Sequence, residues 1–457
     1  MAPIDPSAAR RHLARYPLLD ALRLRRSRRF NLGMTMDGGP LAFRSRHPPL
    51  PLSEDEQAAL AFAACGITGH ALVDLAYQPG GGGTIVAGTL GRTIASGDAI
   101  HTVAVFVSDD RGTWLLRRPQ DFPPAEIPHL VELAGRGELT ELYRRSRLKL
   151  SAQRTRIPLH PFYNIDVNRW SLFAPSSTYF LPVAELTLLY VNGMLEIFGE
   201  STAAFVVDER AGFRPAGLGR FARSRGGHLD DDPRHERVLT IQQLEALVSE
   251  FTTIEQGMVL QNLALMTQAL GLGGFPHWAA HPHGWLRALG FRMAEMPASR
   301  YLGMGPVLRL LARLLRRDPP VPCALGLERD GEPLLVPYCP PYQPSMAAAV
   351  KAVVELKFGA GGIFRGAAGN SAWRESETIA AAAREPSQAA IDATIAYCEY
   401  VYRRYGRFPA YAPPFRTVLG YQAGHLDLDF YDRYYRPEAV SDAQRRHMAR
   451  WHGEEAG

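Results

Sequence analysis

Lysine is nearly absent: Lys149, Lys351 and Lys357 are the three among 51 basic residues in a chain of 457. Arginine therefore carries almost all of the basic charge behind a formal net charge of +5. The guanidinium suits bidentate grip on phosphate or carboxylate, so each arginine cluster is weighed separately. A net charge of this size does not imply nucleic acid, and none is expected as a partner. Cysteine is also sparse. Cys65, Cys323, Cys339 and Cys398 have no C-x-x-C spacing and stand among apolar neighbours, which reads as buried thiols in a reducing compartment. The amino terminus, MAPIDPSAARRHLARYP, has no apolar leader, and the most lipid-like run, Tyr179 to Gly199, is broken by Pro182, Glu185, Asn192 and Glu196. A cytoplasmic protein with no membrane span is expected. The glycine runs PGGGGT (79–84) and FGAGG (358–362) lack both the Gly-Lys-Ser/Thr ending and the G-x-G-x-x-G pattern, so they read as turns.

The segments that are present mix helix and strand without strict alternation, which predicts an α+β fold. PLSEDEQAALAFAACG carries Ser53 followed three residues later by Glu56, a capping box opening a helix. AIHTVAVFVSDD alternates as a strand, and RGTW turns it into TWLLRR. PVPCALGLERDGEPLLVPYCPP predicts a hairpin turning at Asp330-Gly331. Two helices, SMAAAVKAVVELKFG and SQAAIDATIAYCEYVYRRYG, follow in the tail. RLLARLLRRDPP (309–320) reads as a basic amphipathic helix with a solvated face.

Two stretches carry candidate chemistry. LRLRRSRRF places Arg25, Arg26 and Arg29 with the Ser27 hydroxyl within five residues, the converging charged donors that a phosphate monoester needs. TTIEQGMVLQNLALMTQALGLGG is apolar nearly all round, so it is read as a central helix capped at Thr252 or Thr253. Gly257 is read as a point of close approach, and Gly271 as a left-handed C-cap. Its amides, Gln256, Gln261 and Asn262, must find partners, because an unpaired amide in a dry core is costly.

Together RRSRRF and IEQGMVLQNLALMTQALGLGG resemble the signature segments of the FMN-dependent nitroreductase superfamily. GRTIASGDAIHTVAVFVSDDRGTWLL is similar to a third segment of its azoline dehydrogenase branch. The resemblance implies a nitroreductase-like mixed or antiparallel sheet flanked by helices, an FMN cofactor, NADH or NADPH as a donor, a small-molecule substrate and a homodimer. It implies that Arg25, Arg26, Ser27 and Arg29 hold the FMN phosphate or pyrimidine edge, and that Ser96 and Gly97 pass the isoalloxazine. It also implies that Gly274 and Pro276 approach the reactive face, with His277 as the candidate catalytic group. Ala95 stands where the family has proline, Glu255 where it has aspartate, and the Lys-Tyr pair of azoline dehydrogenases is missing, so no substrate follows.

Family members are about half this length. The expected organisation is residues 1–150 and 238–344 as two halves of the core, 151–237 as an insertion serving as lid or dimer arm, and 345–457 as a C-terminal extension. Two other readings stand beside the oxidoreductase: a catalytically silent flavin- or partner-binding protein, and a metal enzyme built on His277, His281 and His283 with His160 and Asp166. Pro282 interrupts that histidine spacing, and no metal is expected there. His425, Asp427, Asp429 and Tyr431 near the chain end are read as a packing segment.

Overall fold

Residues 103–109, VAVFVSD, are buried without exception, so this strand must lie in a sheet covered on both sides. In the computed structural model, which describes residues 13–75, 83–156, 170–278, 282–366, 371–409, 411–412 and 418–452, it is the centre of the main sheet. We label the strands of that sheet β1 (Val103–Asp109), β2 (Gly112–Leu116), β3 (Arg147–Ser151), β4 (Thr178–Glu185), β5 (Gly273–Trp278), β6 (Tyr411–Ala412) and β7 (Val418–Gly424). Their order is β5-β7-β4-β1-β2-β3, with β6 also against β4, and every pairing is antiparallel. The turn between β1 and β2 pairs Asp109 with Gly112 where RGTW predicted it.

Side-chain alternation explains the double burial. Val103, Val105 and Val107 face a core shared with Val259 and Leu263, whereas Ala104 and Phe106 face a second core with Trp285, Leu286 and Phe291. The first core is built on α2 (Ile241–Leu270), the long central helix. α1 (Glu54–Cys65) and α4 (Gln388–Tyr405) also contribute to it. The second lies under a three-stranded antiparallel sheet, Arg292–Pro297, Pro320–Arg329 and Glu332–Leu335. Its tight turn sits at Asp330 (φ 53°) and Gly331 (φ 85°), the two left-handed residues that a type I′ hairpin requires.

The sequence predicts a helix starting at Thr252 or Thr253, but α2 begins earlier and is one uninterrupted helix of 30 residues. Its N-cap is Thr240, whose Oγ1 accepts from the Gln243 amide while Gln243 Oε1 accepts from the Thr240 amide. Thr252 does not cap; it lies inside the helix and donates to the Ser249 carbonyl. No proline or unmet cap interrupts the run, so nothing stops it before Gly271, where φ is 79°. Gly257 faces open space rather than a close neighbour.

The main sheet draws strands from all four expected segments: β1 to β3 begin within or end just after the first, β4 belongs to 151–237, β5 to 238–344, and β6 and β7 to 345–457. β7 is an inner strand between β5 and β4. After it come a short helix, Leu428–Tyr434, and α5 (Asp442–His452), which packs on the end of α2. No helix among the described residues is long and apolar enough to cross a membrane.

Candidate functional site

The arginine segment and the glycine strand meet. Arg28 forms an antiparallel bridge with Gly274, and Asn31 forms one with Leu426. Arg28 itself, the arginine not singled out from sequence, is the buried one of the group, at 4 % exposure. Its Nε donates to the Ala439 carbonyl at 2.8 Å and its Nη1 to Gln268 Oε1 at 3.0 Å, which fixes the segment to the end of α2. Alternation then sets the neighbouring side chains towards the outside. Arg25 and Arg29 are half-buried, while Arg26 and Ser27 are exposed. The Arg29 guanidinium lies 5.0 Å from the Trp170 ring and 5.6 Å from the Phe275 ring. Arg26 Nη1 is turned onto the carbonyls of Arg23 and Arg25. The side chains of Arg25 and Ser27 make no hydrogen bond among the described residues.

Gly274 is glycine for a visible reason: a Cβ there would press on the Tyr421 ring of β7, with Cζ 2.8 Å away. Burial drives the Tyr421 phenol well above its ordinary range, against a hydrogen bond with Thr267 and the nearby charges of Arg25 and Arg28. Arg25 therefore belongs to the same seam. The carbonyl end of α2 opposes an anion, so an anionic group here depends on the guanidiniums to outweigh it. Pro276 shares the Gly274 face of β5 and is half-buried. His277 falls on the opposite face because strand residues alternate. It is 1 % exposed, with its ring against Phe275 (5.2 Å) and Tyr179 (6.3 Å). The Phe275 ring also lies under the Arg29 guanidinium, so His277 and Arg29 share one face of β5 while Gly274 and Pro276 lie on the other. Of the other histidine-cluster residues, His160, Asp166 and His281 lie outside the described residues.

Ser96 and Gly97 stand elsewhere. Ser96 Oγ donates to Glu255 Oε1, and Glu255 Oε2 accepts from Thr102 Oγ1 at 2.8 Å and from the Val103 amide at 3.3 Å. A Cβ on Gly97 would touch Phe251. Glu255 lies fifteen residues before the end of α2, about 22 Å along its axis. Within one chain, Ser96 and Gly97 are therefore not beside the arginine seam.

A cavity of about 840 Å³ opens along the first half of α2, between Glu245 and Gln256, the three-stranded sheet and the end of α4. Its size suits a small organic molecule. Glu245 and Arg407 face each other there at 3.7 Å, and the Arg407 guanidinium stacks 4.1 Å from the Tyr301 ring. Burial raises the Glu245 carboxyl above its ordinary range, opposed by the charges of Arg407 and Arg210. Among the described members of the expected histidine cluster, His283 lines this space and His277 does not. Neither Glu245 nor Arg407 stood out in the sequence, because only the tertiary fold brings the chain just beyond α4 to the first turns of α2. The same holds for Glu255, read only as a variant of the family's aspartate.

The amides of α2 are satisfied locally: Gln256 donates to the Pro182 carbonyl at 2.9 Å and Asn262 to the Thr93 carbonyl at 3.0 Å, while Gln261 is exposed. They serve packing.

No family model matches the chain, and no curated protein matches it. Among solved structures it is similar to a nitroreductase candidate from Ralstonia eutropha JMP134, at 14 % identity and a TM-score of 0.29, over 61 % of this chain and 77 % of that one. That likeness is too loose to assign an activity.

Proposed function

We propose that the chain is an FMN-dependent oxidoreductase acting on a small organic substrate. One observation carries this reading: two segments that resemble nitroreductase signatures, far apart in sequence, pair in space through Arg28 and Gly274. The seam fits the phosphate end of the cofactor, since Arg25 and Ser27 offer uncommitted donors and Arg29 lies on an aromatic platform. FMN, when bound, supplies two-electron chemistry through its N5. The protein's part is to hold the phosphate with Arg25, Ser27 and Arg29 and to bring the Gly274–Pro276 backbone close to the ring. His277, packed between Phe275 and Tyr179, acts as a positioning residue for β5.

Ser96 and Gly97 contribute to the same cofactor only from a second copy of the chain, which fits a homodimer. Gly97 borders Phe251 on a partly exposed apolar face of α2. A catalytically silent ligand-binding protein is the second reading. It is favoured by the distance between the seam and the 840 Å³ cavity, whose lining includes none of the seam residues.

The test is the absorption spectrum of the purified protein, then anaerobic titration with NADH and NADPH. The oxidoreductase reading expects a flavin spectrum that one of these donors bleaches; a flavin that no donor or substrate reduces selects the silent binder. Arg25→Ala and Ser27→Ala should each weaken FMN binding by about tenfold or more while the circular dichroism stays unchanged, the size expected for losing a charge-assisted hydrogen bond. Full FMN occupancy in both variants removes the phosphate assignment.

A further inference from the structure

Glu56, His425 and His447 come from three separate parts of the chain and meet in the interior. Each is under 9 % exposed, and one donor atom from each lies within 4.8 Å of the others. His425 Nε2 is 3.5 Å from Glu56 Oε2, His447 Nε2 is 3.7 Å from Glu56 Oε1, and His447 Nε2 is 2.9 Å from His425 Nδ1. Bonds of about 2.0–2.2 Å to a single ion set its donors ~3–3.5 Å apart, so closing one atom from each residue onto an ion takes a shift of about 1 Å.

Each ligand is positioned by its own element. Glu56 sits in the first turn of α1, with Oε2 accepting from the Ser53 amide at 2.8 Å and the Ser53 hydroxyl at 3.0 Å. His425 directly follows β7, and its carbonyl accepts from the Leu32 amide at 3.0 Å. His447 lies on α5, which approaches the end of α2 because Gly271 has no side chain: a Cβ there would come within 2.7 Å of the His447 Cβ.

Two features point to a cation. Glu56 Oε1 is buried and accepts no hydrogen bond. A carboxylate oxygen without a donor in a dry interior is poorly compensated unless a positive charge is shared with it. The cluster also adjoins the carbonyl end of α2, where the helix dipole favours a cation.

We propose that Glu56, His425 and His447 form a site for a divalent transition metal of the zinc class, two imidazoles and one carboxylate, with water completing the coordination. The ion fastens residues 425–452 to α1 and to the end of α2, a structural role independent of any flavin at the seam.

The experiment uses the full chain stripped with a chelator and titrated with Zn²⁺ by calorimetry, with metal content measured after desalting. One zinc per chain and a zinc-dependent rise in melting temperature are expected. Glu56→Gln also alters the cap of α1, so His447→Ala is the principal variant and His447→Gln the second. Each should bind zinc at least ~100-fold more weakly and lose the zinc-dependent rise, because a first ligand matters at least as much as the outer-shell partners that support it. His283→Ala should retain the metal. The proposal is overturned by no zinc uptake in the wild type, by undiminished uptake in the His447 variants, or by loss of the metal in His283→Ala. None of these readouts depends on flavin, so they are distinct from the oxidoreductase test.

Discussion

Glu255 shows how one buried carboxylate can hold two parts of the fold together. Its carboxylate accepts from Ser96 Oγ, Thr102 Oγ1 and the Val103 amide, tying the loop before β1 to α2. Glu255→Ala leaves three donors without this acceptor, and we expect it to destabilise the fold by about 2–4 kcal/mol in urea titration, with Glu255→Gln costing less. Lys357, one of the three lysines, is buried at 2 % exposure and donates to the Thr84 carbonyl and to Asn192 Oδ1. Burial lowers its pKa from 10.5 to about 8, against the raising charges of Asp98 and Glu196. The unfolded chain therefore holds this proton between about 8 and 10.5 while the folded chain has released it. Binding more protons when unfolded means stability rises with pH across that window. The stabilisation is complete above 10.5 and is lost as pH falls through about 8. Subtracting the urea midpoints of Lys357→Met from those of the wild type between these limits isolates the effect; a flat difference curve contradicts it.

At the scale of elements, local chemistry was legible and remote pairing was not. The Ser53–Glu56 capping box, the Asp330-Gly331 turn and the Gly271 C-cap each follow from a few adjacent residues, and each is in the structure. The start of α2 lies twelve residues before the one the sequence predicts, because Thr252 looks like a cap and cap chemistry is indifferent to whether a core already covers the helix. The position of β7 inside the main sheet is set by partners far away in sequence, Phe275 with Gln422 and Tyr421 with Phe180, which no local pattern specifies. For the candidate site, the arginine and glycine segments could be found from their motifs, whereas the inward turn of Arg28 and His277 depends on strand register. The register is fixed only once β5, β7 and residues 28–31 have paired. Gly271 links these levels: its φ of 79° resists any side chain, and a Cβ would press into the Ala443 carbonyl. We expect Gly271→Ala to cost about 2 kcal/mol or more in stability and to release α5 to early proteolysis, from left-handed strain and overpacking together. Unchanged protease resistance would show that α5 does not rely on this contact.

Over the whole molecule, the apolar surface left uncovered is the feature that composition could not reveal. On α2, Leu247, Phe251 and Ile254 are 42 %, 48 % and 55 % exposed and follow the i, i+4, i+7 stripe that normally faces a core. A second patch lies on α3 (Pro306–Leu314), where no residue is buried and Val307 and Leu314 are 79 % and 72 % exposed. That helix was read as amphipathic with a solvated polar side, yet its apolar side is solvated as well. Contiguous apolar surface of this kind commonly marks an interface. The α2 stripe borders Gly97, the loop that the proposed function brings to the cofactor from a second copy, so the proposed dimer and the proposed cofactor site bear on the same surface. We therefore expect sedimentation velocity to show a dimer, and Phe251→Glu with Ile254→Glu to convert it to a monomer and weaken FMN retention together, because a stable interface buries ~1,200–2,000 Å² and tolerates poorly two charges at its centre. The same charges placed on α3, as Leu310→Glu with Leu314→Glu, should leave both the dimer and the flavin intact. If instead the α3 variant dissociates the dimer while the α2 variant does not, Ser96 and Gly97 are removed from the cofactor site and the seam must hold its ligand from one chain alone.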